Sequence, residues 1–314
     1  MNAAAVHIVP ADSSTWSPPL PDVSTTGAVD AEFTHLVVET PGLRTHVATM
    51  GEGTPVVMLH GFPAHWWQWR AIAPAIAEQG YRVICPDLRG AGWTSADDPR
   101  IQLTTRLDDL LALLEVLDVD RAHLVTHDMG AITGMHLAYA HPARVRTMVQ
   151  LSVPPGFMSF SPKLMPGFAH LPRLLLHRPG RSLGKAAFGD RYLVHPLADS
   201  TRTAYLDVLQ RPEVDGAVGR LCRRMVMPEA MRLMNGTYRR MQLVPPTLVA
   251  FGRQDHPWTE ETVRQICRGR DRYAAQFELA FVEDAAHFIT DDAPESVAEL
   301  ALRWFDQAET ARTD

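Results

Sequence analysis

The 314-residue sequence predicts an α/β fold with a mostly parallel sheet covered by helices on both faces. Short apolar runs rich in β-branched residues alternate with helix-like segments, as parallel strands and their crossover helices do. Residues 121–130 pass from such a run through a sharp turn at Asp128 into an Ala/Leu-rich helix. The alternation stops between about residues 153 and 243, where helical patches replace strands, and then resumes.

Each predicted element follows from a local pattern. Alternating runs at 34–39 and 43–50 flank Pro41-Gly42 and predict a hairpin. The other predicted strands are apolar runs bounded by turn residues, at 55–59, 81–85, 122–126, 145–151, 247–252 and 277–282. Helices are predicted at 103–117, where leucines recur at helical spacing, at the alanine-rich segments 71–79 and 131–140, and at 260–267 and 294–307.

These elements predict a core, residues 31–152 and 244–314, and a helical cap, residues 153–243, inserted after the sixth predicted strand. A cap at this point would cover the carboxyl edge of the sheet, where ligands bind in such folds. Residues 1–30 are rich in proline, serine and threonine, so we expect a flexible extension or a strap on the surface.

Composition limits the classes of function. A net charge of −6 without a dense basic cluster does not favour binding to nucleic acid or anionic membranes. Three cysteines without CxxC spacing argue against a disulfide framework and fit a reducing compartment. No run is apolar and long enough to span a bilayer, and the first basic residue is Arg44. We therefore expect a cytoplasmic protein, monomeric or homodimeric.

The carboxylate at the turn limits the chemistry. A sharp strand–turn–helix segment is the setting of a nucleophile elbow. Serine at such a turn suits attack on a carbonyl, whereas aspartate that displaces a group at saturated carbon forms an ester, which water can cleave. Asp128 therefore predicts an alkyl electrophile, such as an epoxide or alkyl halide, as substrate. The alternative interpretation is a helix N-cap, a common position for aspartate.

Two further residues favour the catalytic interpretation of Asp128. Asp255 follows the predicted strand 247–252, and His287 follows the strand 277–282. The chain order nucleophile, acid, histidine is that of a triad on a parallel sheet. A zinc site at His123, His127 and Asp128 is disfavoured, because residues four apart on a strand lie about 13 Å from each other.

From about residue 33 to residue 305 the chain resembles the α/β-hydrolase superfamily, and within it the epoxide hydrolases of the aspartate-nucleophile type. His60-Gly-Phe-Pro63 matches their H-G-x-P signature, and Trp66 lies in a similar continuation. The segment 87–95, DLRGAGWTS, resembles the D-x-R-G-x-G-x-S loop of the superfamily, and it lacks the third glycine of a dinucleotide fingerprint.

The resemblance implies a two-step mechanism without metal or organic cofactor. Asp128 would open a small apolar epoxide and form an ester, and His287, oriented by Asp255, would activate water to cleave it. Backbone amides of Phe62 and Met129 would form the oxyanion hole, and His60 would order its loop. The resemblance also implies a cis peptide bond before Pro63.

Ring opening needs a proton donor in the cap. The segment 236–239, GTYR, resembles the family's W-Y-R segment, so Tyr238 is the preferred donor. The second donor stays open among four residues, His170, His177, Tyr192 and Tyr205.

Two rival functions remain. A haloalkane or haloacid dehalogenase would use the same carboxylate. However, Phe62 stands where dehalogenases can have asparagine, and Met129 stands where they have tryptophan or arginine. A non-catalytic ligand-binding protein on the same fold is the second rival, because a fold alone does not assign function.

Overall fold

The computed structural model describes residues 4–22, 32–160, 191–256 and 258–310, and between 161 and 190 it describes 164–165, 168–169, 171–181, 183 and 188–189. The described strands form one mixed sheet. They are β1 Ala5–Ile8, β2 Thr34–Thr40, β3 Leu43–Met50, β4 Thr54–Leu59, β5 Tyr81–Pro86, β6 Ser95–Ala96, β7 Ala122–His127, β8 Val145–Leu151, β9 Thr247–Gly252 and β10 Phe277–Val282.

Helices cover the sheet and also fill the block between β8 and β9. They are α1 Ala73–Ala77, α2 Thr105–Val116, α3 Met129–Ala140, α4 Leu171–Leu175, α5 Asp199–Leu209, α6 Pro212–Leu221, α7 Met227–Met234, α8 Glu260–Ile266, α9 Ile289–Asp292 and α10 Pro294–Thr310. A π-helical segment, Cys222–Val226, joins α6 to α7. None of the described helices is both long and apolar enough to cross a membrane.

The strand order places the reactive turns next to each other. The order is β1-β2-β3-β5-β4-β7-β8-β9-β10, and every pair from β5 to β10 is parallel. The carboxyl ends of these strands therefore meet along one edge of the sheet. The loops that carry Phe62, Asp128, Asp255 and His287 all leave from this edge.

Two apolar layers hold the sheet between the helices. Along β4, Val56 and Met58 belong to the layer that contains Ile76 of α1 and Phe305 of α10, whereas Val57 and Leu59 pack with α2 and α3 on the opposite face. Successive side chains of a strand point to opposite faces, so near-continuous apolar runs supply both layers. The predicted α/β-hydrolase fold, with its mostly parallel sheet covered on both faces, is confirmed.

Part of the N-terminal segment packs against the sheet. Within the described residues 4–22, β1 pairs antiparallel with β2. Trp16 is only 6% exposed, packs edge-on against His46 at 4.8 Å between ring centroids, and donates its indole N–H to Pro10. The segment is a strap, because a buried tryptophan and a paired strand provide the apolar contact and hydrogen bonds that a flexible tail lacks. The rest of the predicted extension lies outside the described residues.

The strap strand β1 and the two-residue strand β6 were not predicted, so β8, the sixth predicted strand, is the eighth in the structure. Both are short: β1 has four mostly exposed residues and β6 has two, too few for a recognisable strand pattern.

Candidate active site

A strained turn carries Asp128 between β7 and α3. Its backbone has φ 44° and ψ −119°, outside the regions that side-chain-bearing residues ordinarily occupy. Such a conformation costs on the order of 1–3 kcal/mol and persists where the surrounding structure imposes it. Gly130 allows the close packing behind the turn, because a Cβ there would lie 2.2 Å from the carbonyl oxygen of Leu59.

The Asp128 carboxylate is hydrogen-bonded to the loop after β4. Its Oδ2 accepts a hydrogen bond of 2.9 Å from the Phe62 amide, and its side chain makes no capping bond to α3. Asp128 therefore occupies the N-cap position of α3, but its side chain does not cap the helix. Gly61 permits this approach, since a Cβ at residue 61 would lie 2.5 Å from His127 and 2.8 Å from Cβ of Asp128.

The loop after β4 is held in place by hydrogen bonds around Phe62. His60 Nδ1–H donates to the carbonyl of Gly61, and its Nε2 accepts from the Leu88 amide, which assigns the tautomer. Burial lowers the pKa of His60 to about 4, so the ring is neutral. The Gly61 amide donates to the Gln68 side chain. These contacts keep the Phe62 amide directed at Asp128.

Asp87 organises the neighbouring turn. Its buried carboxylate accepts hydrogen bonds from the backbone amides of Trp66 and Trp93 and from His46 Nδ1. Trp66 itself is fully buried and supports the loop from below, whereas Pro63, joined to Phe62 by the cis bond that was expected, lines a cavity.

His287 lies between the two aspartates. Its Nδ1 is 3.4 Å from Asp255 Oδ2, and its Nε2 is 3.9 Å from Asp128 Oδ1. Burial lowers the pKa of His287, but the hydrogen bond and charge of Asp255 and the charge of Asp128 outweigh it and hold the pKa above its ordinary value. The three residues of the predicted triad are thus brought together in the order acid, imidazole, carboxylate.

The backbone behind His287 is tied to the elbow strand. His127 Nε2–H donates to the carbonyl of His287 at 2.9 Å, and the Ser152 hydroxyl donates to the same oxygen at 2.7 Å. His127 therefore packs beneath the turn, where burial lowers its pKa to about 4. His123 binds Thr147 on β8 through Nδ1, and its Nε2 lies 3.5 Å from Glu309.

Tyr192 is the cap residue that the structure brings to the triad. Its carbonyl accepts a hydrogen bond of 3.0 Å from the Phe288 amide, and its ring lies 5.9 Å from that of His287. Asp292 of α9 holds the following segment by accepting from the amides of Val194 and His195. Burial, with the charges of Asp128 and Asp255 and against that of Arg191, raises the pKa of Tyr192, so its phenol is protonated at neutral pH.

The other predicted donors lie elsewhere. Tyr238 is fully buried, lines neither cavity described below, and donates its hydroxyl to Glu229 at 2.6 Å. Tyr205 is fully buried against Arg70 and Asp291, where it joins the cap to α9. His177 binds Asp215 within the cap. His170 lies outside the described residues.

Two cavities meet at the triad. Asp128, Met129, Tyr192 and His287 line both of them. The first, of about 90 Å³, extends past Phe62 and Arg173, and the second, of about 110 Å³, extends between α3 and α7 towards Glu229. Both are mainly apolar, and Met158 of the cap lines the second. Sequence analysis did not single out Arg173 or Glu229, since no motif distinguishes them from other charged cap residues.

Comparison with known proteins agrees with this architecture. A family model described as alpha/beta hydrolase fold matches residues 54–181. The chain has the α/β-hydrolase fold. The crystal structure of an epoxide hydrolase from Vigna radiata is similar, with a TM-score of 0.72 and 25% identity over 88% of this chain and 98% of that one.

Sequence relatives cover the chain unequally. Epoxide hydrolase 2 of Siraitia grosvenorii is 40% identical over 121 residues, which are 38% of this chain and 38% of that protein. The AB hydrolase superfamily protein YfhM of Bacillus subtilis is 26% identical over 288 residues, 85% of this chain and 96% of that protein. The stronger match thus spans little more than a third of its relative's length.

Proposed function

We propose that this protein is an epoxide hydrolase that converts an epoxide and water into a vicinal diol through an ester on Asp128. One observation carries the proposal. An aspartate carboxylate occupies the elbow, accepts the Phe62 amide at 2.9 Å, and has an imidazole 3.9 Å from its other oxygen. This arrangement suits displacement at saturated carbon followed by ester hydrolysis.

In the first step, Oδ1 of Asp128 attacks one epoxide carbon, and the bond from that carbon to the ring oxygen breaks. The departing oxygen develops the charge of an alkoxide, which a donor in a water-poor site stabilises far better than bulk solvent. Tyr192 is the proposed donor, because it lines both cavities at the triad and stays protonated. Its phenol proton ends on the new hydroxyl.

Ester formation also prepares the second step. The resting pKa of His287 is raised in part by the charge of Asp128. Esterification removes this charge, so the pKa of His287 falls and the neutral imidazole becomes available as a base. Loss of the carboxylate charge thus couples completion of the first step to the start of the second.

In the second step, His287 takes a proton from a water molecule that attacks Cγ of Asp128. The oxyanion forms at Oδ2, which already lies beside the Phe62 amide, and the Met129 amide is the proposed second donor. Collapse of this intermediate breaks the bond from Cγ to Oδ1, which takes the proton from His287 and leaves as the second hydroxyl of the diol. The remaining proton of the water is released with the restored carboxylate and replaces the one lost by Tyr192.

The proposal is tested by one turnover in water enriched in heavy oxygen. Because water attacks the carboxyl carbon, the label should enter the peptide that contains Asp128, and the first diol should be unlabelled. Mass spectrometry of the digested enzyme and of the diol measures both. Asp128→Ala serves as control and should form no diol while keeping the circular dichroism spectrum of the parent.

The rivals give different results in the same assay. Label found only in the diol would indicate direct attack by water and would contradict the ester. Release of chloride or fluoride from halogenated alkanes or acids, without diol from any epoxide, would establish a dehalogenase. Binding of an unchanged ligand without turnover of either class would establish the non-catalytic alternative.

A further inference from the structure

The second cavity is bordered by a buried carboxylate that takes no part in the proposed reaction. Apart from Asp128 and His287, Glu229 is the only Asp, Glu, His, Lys or Arg among the described residues that line it. The side chain of Glu229 is 2% exposed and projects from α7 of the cap. A charge beside an apolar cavity is costly unless partners stabilise it.

Three side chains hold this carboxylate. Tyr238 donates to Oε1 at 2.6 Å, His136 Nε2 lies 2.9 Å from Oε2, and Arg232 forms an ion pair with Oε2 at 3.5 Å. Burial, followed by the charge of Glu229, raises the pKa of Tyr238, so this phenol remains a donor. An ionised carboxylate offers about four acceptor sites. Three are taken, which leaves one for a ligand.

Helix α3 shows where Glu229 lies relative to the reacting carboxylate. Met129, Ile132 and Met135 line the second cavity at successive turns of this helix. His136, which binds Glu229, follows Asp128 by eight residues, and a rise of about 1.5 Å per residue places it roughly 12 Å along the helix axis. The cavity therefore runs along α3 from the nucleophile towards Glu229.

We propose that Glu229 is a specificity-determining residue that accepts a hydrogen bond from a hydroxyl or ammonium group at the far end of the substrate. The inference rests on the proposed function, since it assigns a substrate class to that site. Its partners hold the carboxylate in position before the ligand arrives, so binding requires little reorganisation. A purely structural role, in which Glu229 joins α7 to α3 through His136, would explain why buried donors surround the carboxylate. It would not explain why the carboxylate borders the cavity.

Arg173 gives the first cavity the opposite charge. An epoxide with a carboxylate at one end would place that end near Arg173 and be repelled from Glu229. An epoxide with an amine would be oriented the other way. The charge at the end of the substrate thus selects the cavity that this end enters. The resulting orientation decides which epoxide carbon faces Asp128.

A matched set of substrates tests the inference on the unaltered protein. The probes are terminal epoxides with chains of about eight carbons, long enough to span roughly 12 Å, that end in methyl, hydroxyl, ammonium or carboxylate. We expect kcat/KM to be higher for the ammonium and hydroxyl members than for the methyl member. The carboxylate member should bind in the opposite orientation, with its charged end at Arg173. Equal kcat/KM values for the methyl, hydroxyl and ammonium members would overturn the proposal.

Glu229→Gln isolates the charge while keeping the shape and an acceptor for Tyr238. A hydrogen bond to a charged group corresponds to about a 10–100-fold change in affinity. We expect the ammonium substrate to lose about this factor, mainly in KM, while the methyl and carboxylate substrates keep their kcat/KM. An equal loss for all four would indicate a purely structural role and refute the inference. Tyr238→Phe, which keeps the carboxylate, should retain the discrimination.

A binding measurement separates this inference from the proposed function. The diol with a terminal ammonium and its methyl counterpart can be titrated calorimetrically into the unaltered protein and into Glu229→Gln. Tighter binding of the ammonium diol that is lost in Glu229→Gln supports the Glu229 site even if no epoxide is turned over. Equal binding of the two diols to the unaltered protein overturns it even if epoxides are hydrolysed.

Discussion

Replacing Tyr192 and Tyr238 separately by phenylalanine should affect two different properties of the protein. Tyr192 lines both cavities at the triad, whereas Tyr238 is fully buried behind Glu229. Loss of one donor to a developing oxyanion typically slows a reaction by about 10²–10³-fold. We therefore expect Tyr192→Phe to slow formation of the Asp128 ester by this factor. Its effect on folding should be small, because the Tyr192 ring is only partly buried.

Tyr238→Phe should show the converse. It removes a donor at 2.6 Å from a buried carboxylate. A hydrogen bond to a charged group contributes about 1.5–3 kcal/mol, and its loss leaves Oε1 of Glu229 short of a partner. The free energy of unfolding should fall by about that amount, while the rate of ester formation changes less than about threefold, since Tyr238 does not border the reacting atoms.

Single-turnover kinetics and urea unfolding measure the two effects. The rate of ester formation is measured by quenching the reaction in acid and determining the mass of the intact protein by mass spectrometry. Stability is measured as the urea midpoint at constant slope. A large kinetic loss in Tyr238→Phe with normal kinetics in Tyr192→Phe would refute the assignment of the donor. It would favour the residue that sequence similarity prefers over the one that the structure places at the triad.

Three further predictions concern the base, the buried histidines and the strap. His287→Gln should still form the ester on Asp128 but hydrolyse it at least about 100-fold more slowly, so mass spectrometry should detect the alkylated protein in the steady state; rapid release of diol would contradict this. The free energy of unfolding should fall by up to about 5 kcal/mol for each pH unit below pH 6.5, because four histidines that stay neutral in the folded protein are protonated in the unfolded chain. Urea midpoints at pH 7, 6 and 5 measure this, and unchanged midpoints would contradict it. Burial lowers the pKa of these residues to about 3 for His35 and about 4 for His60, His65 and His127. Trp16→Ala should lower the free energy of unfolding by about 3 kcal/mol through loss of the buried ring, with kcat of the folded enzyme unchanged; a loss of kcat at full occupancy of the folded state would show that the strap shapes the site.

Much of the sheet could be predicted from the sequence, because its strands are buried on both faces. The eight predicted strands are present, and those at 43–50, 145–151, 247–252 and 277–282 have the predicted bounds. A strand that packs against helices on both faces needs an unbroken apolar run, which is visible in a single sequence. The strands β1 and β6 lack such runs, because β1 is an exposed edge strand and β6 has two residues.

Candidate residues at strand ends were predictable for a similar reason. Asp128, Asp255 and His287 each follow a recognisable parallel strand, and the carboxyl ends of parallel strands share one edge of the sheet. The cap offers no such rule. Its helices are short and joined by irregular segments, so the spacing of Tyr192 or Tyr238 from the nearest strand says little about which ring reaches the triad.

Apolar periodicity in the chain predicts a sheet between helices, and an aspartate at the elbow favours displacement at saturated carbon. Only the folded structure shows which cap tyrosine lies at the triad, that the N-terminal segment is a packed strap, and that Glu229 and Arg173 border opposite cavities. The difference lies in the range of the contacts. Periodicity and turn chemistry act between neighbours in the chain, whereas the contacts of Tyr192 with Phe288 and of Glu229 with His136 join segments that are about a hundred residues apart and form only when the cap closes on the core.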